Sequence, residues 1–130
     1  MNEGLKSHFL NLYSMVMADG EVYQREKIEL YRIGEEFYNV KQEEFDRLLL
    51  SDDILFYIPP TEEEKILYLY DFALIAWANG EVVDEERQMM ERFALRFGVQ
   101  PDEVKPLIDL LLEKAEQHLS HEDLMKAFSE

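Results

Sequence analysis

Cysteine is absent from the 130 residues of this chain. Its absence excludes disulfide bonds, thiolate catalysis, and zinc or iron–sulfur sites with cysteine ligands, and it fits a reducing cytosol. Any metal ion must therefore be bound through oxygen atoms or histidine.

Long apolar runs and a leader-like beginning are also missing. Residues 1–8 contain no basic stretch followed by an apolar segment. Uncharged runs such as residues 72–80 are shorter than the roughly 20 residues that a membrane-spanning helix needs. We therefore expect a soluble, cytoplasmic protein that does not insert into membranes.

Basic residues are scarce relative to acidic ones. The chain has 13 Lys and Arg against 29 Asp and Glu, which gives a formal net charge of −16. Repulsion by phosphate groups makes nucleic acid an unfavourable partner, whereas cations and basic protein surfaces would be attracted. We therefore expect a protein partner, although an acidic surface also serves solubility alone.

Common enzyme signatures are missing as well. The chain has no Gly-x-Ser-x-Gly, no Gly-x-x-x-x-Gly-Lys and no His-Glu-x-x-His motif. An acid/base pair such as Glu21 and Glu81 would need a substrate pocket. His118 and His121 fit either a metal crevice or a favourable position near helix carbonyls, and His8 stands alone among polar neighbours. We predict a non-enzymatic protein without catalytic residues.

One six-residue segment occurs twice. Residues 17–22 read Met-Ala-Asp-Gly-Glu-Val and residues 77–82 read Trp-Ala-Asn-Gly-Glu-Val, so Gly20 and Gly80 are 80 − 20 = 60 positions apart. A fixed internal period indicates a repeated structural unit. The same offset pairs four further positions of similar size: Leu30 with Met90, Ile33 with Phe93, Gly34 with Ala94, and Phe37 with Phe97.

The periodicity predicts an all-α fold. Beyond these positions the second half lacks one residue relative to the first, and the two halves then remain in phase. Each half reads helix, acidic turn, helix, short turn, helix. We predict a single-domain bundle of about seven helices over residues 1–130, built from two duplicated three-helix repeats. The repeats cover about residues 5–50 and 61–118, a linker covers 51–60, and a short C-terminal helix covers 120–128.

Local signals predict where several helices begin. The first helix should run from about residue 3 to Ala18. Thr61 and Glu64 form a capping box after two prolines, and Ser120 precedes the last helix. The apolar residues 54–58 of the linker either pack on the core or form a groove for a partner.

These residues resemble a known family. An apolar helix that ends in Ala-Asp-Gly-Glu-Val and leads into an acidic helix start, repeated once, is similar to the TerB-like tellurite-resistance domains. These include the domain at the N-terminus of a membrane-anchored DnaJ-type co-chaperone. The resemblance covers roughly residues 12–112 and implies an all-helical domain, an acidic metal site and association with bacterial stress-response systems.

By position, the acidic signature of that family corresponds to six residues here: Asp19, Glu21, Glu26, Asn79, Glu81 and Glu86. Asn79 offers an amide oxygen in place of a carboxylate, which lowers the charge of such a site by one. Oxygen ligands favour calcium, magnesium or manganese. The two sets would act together only if the fold brings the two turns face to face.

Two functions follow from these observations. The first is a non-enzymatic, acidic interaction domain in a stress-response setting. The alternative is a module that binds a divalent cation through the acidic turns. The same acids have a purely structural interpretation, because Glu26 and Glu86 in first helical turns would each stabilise the helix dipole by about 0.3–1 kcal/mol.

Overall fold

The computed structural model describes residues 2–17, 24–50 and 56–129. Within these ranges the chain forms seven helices and no β-strand, as predicted for an all-α fold. The helices are α1 (Glu3–Val16), α2 (Gln24–Tyr38), α3 (Gln42–Leu48), α4 (Glu62–Trp77), α5 (Asp84–Arg96), α6 (Pro101–Glu116) and α7 (His121–Phe128).

Most of the predicted helix starts are confirmed. The Thr61 side chain accepts a hydrogen bond from the backbone N–H of Glu64, and Ser120 accepts one from that of Asp123. Pro101 occupies the first turn of α6, where its missing N–H costs nothing. The first helix ends at Val16 and is thus shorter than predicted, while Ala18 lies outside the described residues.

Helix α4 forms the centre of the bundle. It packs against α1, α2, α5 and α6, and every residue from 69 to 76 is buried. A helix that is enclosed on all sides must be apolar around its whole circumference. A single acid, Asp71, interrupts this apolar stretch, and its surroundings form the candidate site described below.

Phe56 and Tyr57 of the linker pack against the bundle, whereas Ile58 is 52% exposed. The Phe56 ring lies parallel to that of Phe93 at 6.2 Å between centroids, and the backbone N–H of Tyr57 donates to Ser7 Oγ at 3.0 Å. Gly4 permits this contact, because a Cβ atom there would lie 2.6 Å from the Tyr57 ring. Of the two predicted roles, residues 56 and 57 therefore have the core-packing one.

Among the described residues, no helix combines the length and the apolar character required to cross a lipid bilayer.

Candidate functional site

The candidate site is a buried carboxylate shared by three side chains. Oδ2 of Asp71 accepts hydrogen bonds from His8 Nε2 at 2.8 Å and from the Tyr38 hydroxyl at 2.5 Å. Its other oxygen, Oδ1, lies 2.7 Å from His121 Nε2. Since these residues belong to α4, α1, α2 and α7, one carboxylate connects four helices.

Burial and hydrogen bonding act in opposite directions on Asp71. The side chain is completely buried, and desolvation alone would raise its pKa. The hydrogen bonds from His121 and His8, and the positive charge that these imidazoles carry when protonated, outweigh this effect and hold the pKa below its ordinary value. Asp71 is therefore an ionised carboxylate in the interior of the bundle.

His8 is held in its neutral form. Desolvation lowers its pKa, and the hydrogen bond to Asp71 opposes that shift without reversing it. Its Nδ1 atom is buried and has no hydrogen-bond partner within the described parts of the chain, so a proton there would be unsatisfied. The ring stacks on Tyr68 with centroids 3.8 Å apart. These contacts fix the tautomer with the proton on Nε2.

Tyr38 is a donor that stays protonated. Burial and the adjacent Asp71 charge raise the pKa of its hydroxyl far above the ordinary value. The phenol therefore donates permanently to the carboxylate, and it adds no titration of its own to the site.

His121 connects this site to the surface. Its ring stacks on Phe37 at 3.9 Å between centroids, and its side chain is 17% exposed. It borders a cleft of about 530 Å³ between α4 and α7. The other residues of this cleft are Glu63, Leu67, Glu122, Met125, Lys126 and Ser129.

Sequence reasoning missed this cluster. Asp71 is the only charged residue in the run 66–78, and an isolated acid in an apolar helix signals a buried, partnered carboxylate. No comparable signal marked its partners, since His8 is 63 residues away along the chain and His121 is 50 residues away. His118, considered together with His121, is exposed in the turn after α6 with φ of 56°.

The acidic turns are only partly described. Asp19 and Glu21 lie outside the described residues. Glu26 is buried in the first turn of α2, and its Oε2 accepts a hydrogen bond from Asn79 Nδ2 at 3.0 Å. The fold thus brings together one predicted residue from each half of the chain, and in doing so places the turn after α4 against the start of α2.

The remaining predicted positions do not share that contact. Glu81 is exposed. Glu86 is buried in the first turn of α5, where it accepts a long hydrogen bond of 3.5 Å from the Val83 backbone N–H. Within residues 2–17, 24–50 and 56–129, no three His, Asp or Glu side chains are arranged to hold a metal ion.

Glu26 and Glu86 occupy the same place in their helices. Each is the third residue, of α2 and α5 respectively, where a carboxylate faces the partial positive charge of the helix N-terminus. The structural interpretation of these acids therefore accounts for their position in the chain without a bound cation.

Comparisons of this chain with protein families, with curated proteins and with solved structures find no match.

Proposed function

We propose that this chain is a non-enzymatic, acidic interaction domain that binds basic surfaces of partner proteins. The supporting observation is the location of its charge. Among the described residues the buried acids are Glu26, Asp71 and Glu86, and the other acids are at least partly exposed. With a formal net charge of −16, the surface attracts cationic partners.

The cleft between α4 and α7 offers a place for such a contact. Glu63 and Glu122 supply carboxylates, and Leu67 and Met125 supply apolar surface. A lysine or arginine side chain has matching parts, because its stem packs on apolar groups while its head pairs with carboxylates. Glu122 is already paired with Lys126 at 3.4 Å, an exposed ion pair that a partner would displace at little cost.

The resemblance to TerB-like domains supplies the setting of the proposal. The two 60-residue-spaced segments are interpreted as duplicated three-helix units, α1–α3 and α4–α6, with α7 added. On this interpretation the domain takes part in a bacterial stress response as a binding component. The repeats provide a rigid support, and the acidic surface provides the contact.

The test uses a fluorescein-labelled deca-arginine peptide and fluorescence anisotropy. We expect Glu63→Gln/Glu122→Gln to weaken binding at least fivefold. The matched control Glu43→Gln/Glu44→Gln removes the same charge from the exposed face of α3 and should change affinity less than twofold. If both double substitutions weaken binding equally, the peptide responds only to the overall negative charge of the protein, and the proposed cleft would be rejected.

A divalent-cation module is the second candidate, supported by the contact between Asn79 and Glu26. These residues come from the two halves of the chain and lie within 3.0 Å. In the described arrangement the amide N–H group faces the carboxylate. A cation bound between them would require the Asn79 side chain to turn, so that Oδ1 replaces Nδ2. Asp19, Glu21, Glu81 and Glu86 would be the further oxygen donors that the sequence predicts.

Thermal unfolding separates this candidate from the first. A saturable rise in Tm with millimolar calcium, magnesium or manganese after EDTA treatment, lost in Glu26→Gln/Glu86→Gln, would support a cation site. The emission of Trp77, two residues from Asn79, gives a local signal. A rise of equal size in the variant would instead reflect screening of the −16 charge.

A further inference from the structure

Two arginines on α5 flank a small apolar cleft. Arg92 and Arg96 line a cavity of about 140 Å³ together with Met89 and Phe93. Both arginines are exposed, and neither forms an ion pair with any other described residue.

No acidic residue lies one helical turn from either arginine on α5, although Glu91 directly precedes Arg92 in the sequence. Arg92 and Arg96 are four residues apart, so they are neighbours on the helix surface. The positions one turn from Arg92 hold Gln88, Met89 and Leu95, and the position three before Arg96 holds Phe93. Like charges at this spacing repel each other and slightly destabilise a helix. A bound anion between the two guanidinium groups would remove that repulsion.

Phe56 holds one of the arginines in place. The guanidinium carbon of Arg96 lies 3.5 Å from the centroid of the Phe56 ring, which itself packs on Phe93. This cation–π contact restricts the long side chain and orients its flat face. Its outer N–H groups keep their hydrogen-bonding capacity, and a planar guanidinium group matches the oxygens of a carboxylate or phosphate.

From these observations we propose that the Arg92/Arg96 cleft binds an oxyanion carried on one small apolar group. The size of the group follows from the cavity, since a void of about 150 Å³ accommodates a benzene molecule. The apolar part would contact Met89 and Phe93 while the oxyanion bridges the arginines. The negative charge elsewhere on the protein is screened beyond about 8 Å at physiological ionic strength.

The test is a titration of the 130-residue chain followed by NMR of the arginine Nε–Hε groups. We expect phenylacetate and phenyl phosphate to shift the Arg92 and Arg96 signals in a saturable manner, with Kd on the order of millimolar. The ligand with the lower Kd shows whether the preferred oxyanion is a carboxylate or a phosphate. Phenylacetamide, which lacks the charge, should bind at least tenfold more weakly, and inorganic phosphate, which lacks the ring, should also bind more weakly than phenyl phosphate.

Variants make the assignment specific. Arg92→Gln and Arg96→Gln should each weaken binding about tenfold or more. Both positions are exposed, so the fold should be retained, and the backbone amide spectrum checks this. The control Arg47→Gln removes one exposed arginine from α3 and should change Kd less than twofold. Non-saturable shifts, or an equal loss in the control, would overturn the proposal.

Discussion

Nε2 of His8 donates a hydrogen bond of 2.8 Å to the fully buried Oδ2 of Asp71, 63 residues further along the chain. This contact joins the first helix to the central one. It also leaves a charged carboxylate in the interior, where its stability depends on the donors that surround it. The contact makes the fold sensitive to substitution and to pH.

Substitution of Asp71 should be severely destabilising. Asp71→Asn replaces one oxygen acceptor with an N–H₂ donor, so even the best orientation of the amide reverses one hydrogen bond of the cluster, and the carboxylate charge is lost. We expect the free energy of unfolding in urea to fall by about 3–5 kcal/mol. The exposed control Glu113→Gln should change it by less than about 0.5 kcal/mol. Similar values for both variants would contradict the role given to Asp71.

Acidification should weaken the fold from about pH 6.5 downward. The pKa of His8 is lowered in the folded state from the ordinary value of 6.5, so below that pH the unfolded chain binds a proton that the folded chain does not. The free energy of unfolding therefore decreases as the pH falls through this window. Asp71, whose pKa is also lowered, adds a second loss below its ordinary value of 3.8.

The His8→Gln variant tests the first of these windows. A glutamine N–H₂ group keeps a donor for Asp71 but does not titrate. Urea unfolding between pH 7.5 and 5 should show a shallower decline for the variant than for the unmodified chain. Parallel pH profiles would show that His8 does not control the acid response.

The contact between Glu26 and Asn79 should depend on the neutral amide. Asn79→Asp would replace a donor that lies 3.0 Å from Glu26 Oε2 with a second carboxylate. In EDTA we expect a loss of about 1–3 kcal/mol by thermal unfolding, because the hydrogen bond from Asn79 is removed and a like charge is placed beside the buried Glu26 carboxylate. Gln88→Glu, which adds the same charge on the exposed face of α5, should be nearly neutral. If calcium, magnesium or manganese restores the stability of the Asn79→Asp variant, that result would additionally favour the cation hypothesis.

Two glycines should respond oppositely to alanine. At Gly4 a Cβ atom would lie 2.6 Å from the Tyr57 ring, whereas at Gly34 the nearest atom is 3.6 Å away. We expect Gly4→Ala to cost about 1–3 kcal/mol through overpacking and Gly34→Ala to gain up to about 1 kcal/mol of helix stability. Chemical denaturation of the two variants checks this, and a stabilised Gly4→Ala variant would show that the Tyr57 ring moves freely.

The general course of the helices could be predicted from sequence because their signals are local. Apolar spacing and the caps at Thr61 and Ser120 act within one or two turns, so they identify a helix without knowledge of its neighbours. Local signals were not sufficient to predict the contact between Glu26 and Asn79. The 60-residue period suggested which turns to compare, but only the packing of α2 beside α4 brings these two side chains into contact.

The Asp71 cluster lay beyond such local reasoning. Its four members are dispersed from His8 to His121, and each has an ordinary sequence environment except Asp71 itself. Their contact depends on the mutual packing of four helices. The same limit applied to the Arg96 guanidinium and the Phe56 ring, because 40 residues separate them and the linker had no predictable path.

The distribution of donors around Asp71 has a consequence for partial unfolding. His8 and Tyr38 contact Oδ2 from α1 and α2, whereas His121 contacts Oδ1 from α7, the last of the seven helices. If α7 detaches, Oδ1 loses the hydrogen bond with His121 while Oδ2 keeps both of its own. Fraying of this helix therefore opens the carboxylate from one side only, and the cost of that lost hydrogen bond opposes it.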